Sequence, residues 1–122
     1  TGLMGVPEGF AQRPEFQDII NDVRASTQPI STRTLGALFD TYVSNPSIND
    51  GLPLHDITTP TLVVAAKDDP LCLYANTSAL ARVIPSAQLL TVADGGHMLL
   101  GHGDAVRADI RRFLTATASV SR

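Results

Sequence analysis

"PTLVVAAKDDP", Pro60 to Pro70, is the stretch whose reading decides the fold. Thr61 to Ala66 form a short continuous apolar run, β-branched at its centre, fenced by Pro60 on one side and by Lys67, Asp68 and Asp69 on the other. Continuous rather than alternating hydrophobicity is the mark of a strand covered on both faces, as in a parallel sheet. "AQLLTVA", Ala87 to Ala93, is a second run of the same kind and leads into "DGGHMLLGHGD". Between the two lies a helical pattern from Tyr74 to Ile84, with Leu80, Val83 and Ile84 on its apolar side. Strand, helix, strand with buried strands implies a right-handed parallel crossover.

Working outward, Val106, Ile110, Phe113 and Leu114 mark a final helix with Asp104 near its positive end, and the tail "TATASVSR" is expected to fray. Upstream, Phe16, Ile19, Ile20 and Val23 recur at helical spacing after Pro14. A second helix carries Leu35, Leu38, Phe39, Tyr42 and Val43 on one face, with Ser31 or Thr32 as its N-cap. The first thirteen residues, rich in Gly and Pro, read as a loop, and "SNPSINDGLP" as an irregular connector. The expected fold class is therefore α/β: two parallel strands with flanking helices, preceded by two helices. Two strands make a poor sheet, because their edges and faces need neighbours.

Composition narrows the partners. The 122 residues are 43% hydrophobic and 17% charged, with a net charge of −3. No basic stripe is available to neutralise phosphates, so nucleic acid is not an expected partner. Arg107, Arg111 and Arg112 alternate with Asp104 and Asp109 as on a solvated helix face. No apolar run reaches the ~18 residues of a membrane span, and the first residues lack the pattern of a signal peptide. The single Cys72 cannot close an internal disulfide, which fits a reducing compartment, so a cytoplasmic location is expected. The chain opens on Thr rather than Met, as a piece of a longer protein would.

In open parallel sheets, functional residues sit just past the carboxyl ends of the strands. Here both strands end in titratable groups, Asp68 and Asp69 after the first, Asp94 and His97 after the second. Adjacent parallel strands lie roughly 4.8 Å apart, so an Asp and a His leaving the same end can come within hydrogen-bond reach. A carboxylate on one imidazole nitrogen fixes the tautomer and leaves the other nitrogen to take a proton. Each residue also has a plain structural reading, Asp69 as a turn carboxylate before Pro70 and His97 as a turn histidine. His102 reads as structural or solvent-facing, His55 has no assigned role, and Cys72 reads as a small apolar filler near the site mouth. A His97–His102 metal pair is not expected, since no third ligand converges on it. Neither a metal nor another cofactor is expected.

The stretch from Ile57 to Leu114, with its "ITTPTLVVAAKDDP" entry, its "DGGH" strand end and its long closing helix, resembles the C-terminal part of an α/β-hydrolase. The resemblance implies residues 57–122 as that part of the hydrolase core and residues 1–56 as a cap-like helical segment and connector. By position it makes Asp69 the catalytic acid, with Asp68 as second choice, and His97 the catalytic histidine. Ala66 stands where the family often has Gly. Cap residues Leu35, Leu38, Phe39 and Tyr42 are expected to line a substrate pocket.

The same family needs a nucleophile on a sharp strand-to-helix turn, usually in G-x-S-x-G. None of the nine glycines is followed two residues later by Ser, Cys or Asp. There is no HGGG-type loop to form an oxyanion hole. The chain therefore reads as a fragment of a hydrolase for a small-molecule ester or a related carbonyl or C–C bond substrate, lacking its nucleophile and inactive alone. The alternative is a non-catalytic short protein of hydrolase-like fold that works through self-association or partner binding. Either way its uncovered sheet calls for a second copy or the missing N-terminal half.

Overall fold

The computed structural model describes residues 5–44 and 51–120. Two strands pair in parallel, β1 (Thr61–Ala66) and β2 (Ala87–Val92), with Thr61 opposite Ala87 and Ala66 opposite Val92. The described residues also form five α-helices: α1 (Glu8–Ala11), α2 (Gln17–Thr27), α3 (Thr34–Phe39), α4 (Tyr74–Val83) and α5 (Gly103–Val120). Short 3-10 turns lie at Pro14–Phe16, Ile30–Arg33, Leu54–Asp56 and Gly96–Met98, and a π-helical turn at Asp40–Ser44 follows α3. The strand–helix–strand–helix reading of the C-terminal half is what the structure shows.

Side chains from β1 and β2 reach the two sheet faces in alternation, as the pleat requires. Ala66 and Val92 pack with Val106 of α5, joined by the partly buried Val64, Leu90 and Leu99. On alternate positions, Thr91 of β2 bonds Tyr74 at the start of α4, hydroxyl to hydroxyl at 3.1 Å. A separate cluster gathers Val6, Ile20 and Leu100, with Phe10, Ala11, Phe16 and Met98 against it. The consecutive Leu99 and Leu100 thus belong to different clusters.

Several local expectations are corrected. The first thirteen residues are not all loop, because Glu8–Ala11 is helical and its Phe10 joins a core from distant sequence. Arg13 lies over the rings of Phe10 and Phe16, 5.1 and 4.7 Å from their centroids. Neither Ser31 nor Thr32 caps α3: its N-cap is Arg33, and the Thr32 hydroxyl donates to Pro29 O instead. Leu80 and Val83 of α4 are exposed, whereas Ile84, just past the helix end, and Ser78 are buried. The tail does not fray at Thr115, since α5 continues to Val120; Thr115 and Thr117 hydroxyls donate to carbonyls one turn back. Positions 45–50 of the expected connector, and 121–122 of the tail, lie outside the described residues.

Much apolar surface is uncovered. Leu35 is 84% exposed and Tyr42 74%, with Leu38, Phe39, Leu89 and Leu114 also open. No helix among the described residues is long and apolar enough to cross a membrane.

Candidate active site

The parallel ladder carries one step past β1, with Lys67 N–H donating to Val92 O at 3.0 Å. Beyond it the two segments separate into an acid-bearing turn and a histidine-bearing turn. In the first, Asp69 folds its carboxylate back on its own chain: Oδ1 accepts the N–H groups of Leu71 at 2.8 Å and Cys72 at 3.0 Å. This is the local side-chain-to-backbone bonding that Asp favours in turns. The residue is buried, and its other oxygen, Oδ2, lies 3.0 Å from His97 Nδ1.

The histidine turn depends on its glycines. Gly95 and Gly96 have φ of 100° and 62°, in the left-handed region that only Gly occupies without strain. A Cβ on Gly96 would meet Gly5 O and the ring of Pro7, so the N-terminal segment lies directly on this turn. His97 N–H donates to Gly5 O at 2.8 Å. Leu99 is itself left-handed at φ 52°, a conformation held by the packing of its side chain with the sheet cluster.

The electrostatics assign the proton. Burial alone would push the Asp69 carboxyl up; hydrogen bonds from Cys72, His97 and Leu71, with the charge of His97, outweigh it and hold the group below the ordinary carboxylate value. An ionised carboxylate only accepts, so the proton between the residues belongs to His97 Nδ1. Nε2 of the neutral ring then carries a lone pair, and no described residue bonds it. The His97 side chain is 47% exposed, so that lone pair is within reach of an incoming group. What the arrangement can do is accept a proton at Nε2 while Asp69 stabilises the imidazolium that results.

The structure thus brings His97 and Asp69 together and puts Asp68 elsewhere. The Asp68 oxygens accept the N–H groups of Gly95 and Gly96, at 3.2 and 2.9 Å. His102 Nε2 pairs with Asp94 Oδ1 at 2.6 Å, and His55 with Asp56 on the surface. Cys72 is exposed at the mouth of the site. Its thiol shares a 170 Å³ cleft with Asp69, His97, Thr77, Ala66 and Leu99, and none of Leu35, Leu38, Phe39 or Tyr42 lines it. Asp69, Cys72 and His97 each offer a ligand atom within 4.8 Å of the others. A metal ion there would have to compete with the hydrogen bonds that Asp69 already accepts. A larger hollow of 370 Å³, between Leu62, Leu90, Arg112 and Phe113, holds none of the dyad.

Sequence reasoning missed two backbone contributions here, the Gly5 carbonyl and the amides of Leu71 and Cys72. The doubled glycine before His97 was the available signal for a close backbone approach; nothing in the sequence named Gly5 as its partner.

Residues 39–120 match the family model described as TAP-like protein, an α/β-hydrolase family. A poly(3-hydroxyalkanoate) depolymerase of Ectopseudomonas oleovorans is 46% identical over 61 residues, 50% of this chain and 22% of that protein. A pimeloyl-[acyl-carrier protein] methyl ester esterase of Xanthomonas oryzae is 39% identical over 64 residues, 52% of this chain and 25% of its own length. The corresponding esterase of Stenotrophomonas maltophilia is 41% identical over 64 residues, again 52% of this chain and 25% of that protein. The chain thus spans about a quarter of the length of the curated relatives it matches. No solved structure gives a significant match. With its parallel strand pair and the match over residues 39–120, the chain belongs to the TAP-like α/β-hydrolase family and represents its C-terminal region.

Proposed function

We propose that the chain is the acid–base part of a carboxylic ester hydrolase. The observation that carries this reading is the bond from His97 Nδ1 to the buried Asp69 Oδ2. His97 acts as general base through Nε2, taking the proton of a nucleophile, and then as general acid, returning it to the leaving alcohol. Asp69 orients the ring and stabilises its charged form. The nucleophile and the oxyanion donors come from polypeptide outside these 122 residues, in the parent protein. Support for an ester comes from two relatives, one named a depolymerase of a polyester and the other a methyl ester esterase.

The chain alone is then expected to leave a short-chain nitrophenyl ester at its background rate of hydrolysis. The parent protein is expected to hydrolyse it and to lose that activity on His97→Ala. A parent whose turnover survives His97→Ala overturns the reading.

The exposed apolar side chains favour a second reading for the isolated chain, association with another copy. Sedimentation is expected to show a dimer or larger species at micromolar concentration; a monomer there counts against it.

A further inference from the structure

Asp68 stands between the strand end and Asp69, and its carboxylate serves neither α4 nor His97 directly. Oδ2 accepts Gly95 N–H at 3.2 Å and Oδ1 accepts Gly96 N–H at 2.9 Å. Among the described residues, past the Lys67–Val92 bond, hydrogen bonds between segments 67–72 and 93–98 come from Asp68 and from the dyad itself. The left-handed conformations of Gly95 and Gly96 let two consecutive amides converge on one carboxylate. The next amide, of His97, is taken by Gly5 O at 2.8 Å.

We propose that Asp68 is a positioning residue, whose carboxylate clamps the histidine turn to the acid turn and so holds the His97 ring on Asp69. The reasoning is geometric. A single side-chain bond at 3.0 Å leaves the imidazole free to swing about its own torsions and the turn free to move under it. Three consecutive amides held at 2.8–3.2 Å fix the backbone of the turn, so the ring needs only one further bond to be oriented. Bonds to an ionised acceptor are the strong kind. The adjacent aspartates therefore divide the work, Asp69 taking the ring and Asp68 the backbone beneath it. This also explains why Asp68 is not the alternative acid: His97 donates to its neighbour, and both Asp68 oxygens already have backbone partners. The clamp deepens the hydrolase reading, and only the activity arm below rests on it.

The test uses the ¹⁵N-labelled 122-residue chain with Asp68→Ala, which removes both acceptors, and Asp68→Asn, which keeps one acceptor oxygen. At about two pH units above the ordinary imidazole value, long-range proton–nitrogen correlations report which ring nitrogen of His97 is protonated. The wild type is expected to show the Nδ1–H form. Asp68→Ala is expected to lose that bias, with Gly95 and Gly96 amides exchanging about tenfold faster or more; Asp68→Asn falls between. Asp94→Asn, which takes the charge from the other pair after β2, is expected to change neither reading. Slow exchange and an intact Nδ1–H form in both Asp68 variants overturn the clamp, as does an equal loss in Asp94→Asn. If Asp68→Ala does not fold, Asp68→Asn decides by the same two measurements.

In the parent protein, Asp68→Ala is expected to lower kcat for the nitrophenyl ester on the order of 10- to 100-fold with little change in KM. A parent without esterase activity removes the hydrolase reading and leaves the clamp to be judged on the nitrogen data.

Discussion

His102 Nε2 lies 2.6 Å from Asp94 Oδ1, whereas His97 Nδ1 lies 3.0 Å from Asp69 Oδ2. Both histidines follow β2, and the shorter pair is the less constrained. Asp94 has 54% of its side chain exposed; Asp69 has 8%, accepts two backbone N–H groups besides the imidazole and is held below the ordinary carboxylate range. Water competes freely for the first pair and hardly at all for the carboxylate of the second. Length alone does not single out a pair fit for proton transfer. A desolvated acceptor that stays ionised, and a ring held by one nitrogen with the other open, do.

The largest separation of the pairs is expected in turnover by the parent protein. His97→Ala should lower it on the order of 10⁴-fold, while His102→Ala changes it less than about twofold. Equal losses on an ester assay would erase the distinction between them.

Stability should separate the acids next. Asp69→Asn removes a buried ionised acceptor and is expected to cost about 1.5–3 kcal/mol at neutral pH, read from urea midpoints. Because the folded-state carboxyl is held below its ordinary value of 3.8, its contribution is complete above that value. It is lost as pH falls through the lower folded value. The gap between wild type and Asp69→Asn should therefore be present above the ordinary carboxylate range and close as pH falls below it. A gap that persists undiminished below that range would reverse the sign assigned to Asp69.

The neighbouring glycines offer a finer probe. Gly96 precedes His97 at φ 62°, under Gly5 and Pro7, and Gly96→Ala is expected to cost at least about 1–2 kcal/mol. Gly103 follows His102 at the start of α5, where a Cβ would meet only the flexible Arg107 side chain, so Gly103→Ala should be neutral or slightly stabilising. A similarly small effect is expected of Asp94→Asn, below about 1 kcal/mol because its pair is solvated. A larger loss would show that this end of the turn is as constrained as the other.

The strands and the dyad geometry were legible because each rests on local signals. "TLVVAA" became the strand Thr61–Ala66 residue for residue, and a parallel register then put Asp69 and His97 at the same sheet end. What escaped rests on contacts between distant segments. Glu8–Ala11 stands in a Gly- and Pro-rich stretch, and a cluster completed by Leu100 accompanies its helix. The exposure of Leu80 and Val83 was hidden for a different reason: an apolar helix stripe implies a covering layer, and the described residues provide none over these two. Cys72, read as lying near the site mouth, is there: the turn built on Asp69 takes its amide and leaves the residue exposed beside the cleft.

Leu99 packs with the sheet cluster and Leu100 with the N-terminal one, so a single peptide bond joins the two cores. That junction sits two residues from His97. Local opening of either cluster withdraws one leucine and releases the turn that presents the imidazole. The lifetime of the assembled dyad is therefore capped by whichever cluster opens more readily, and reinforcing the sturdier one would add nothing to it.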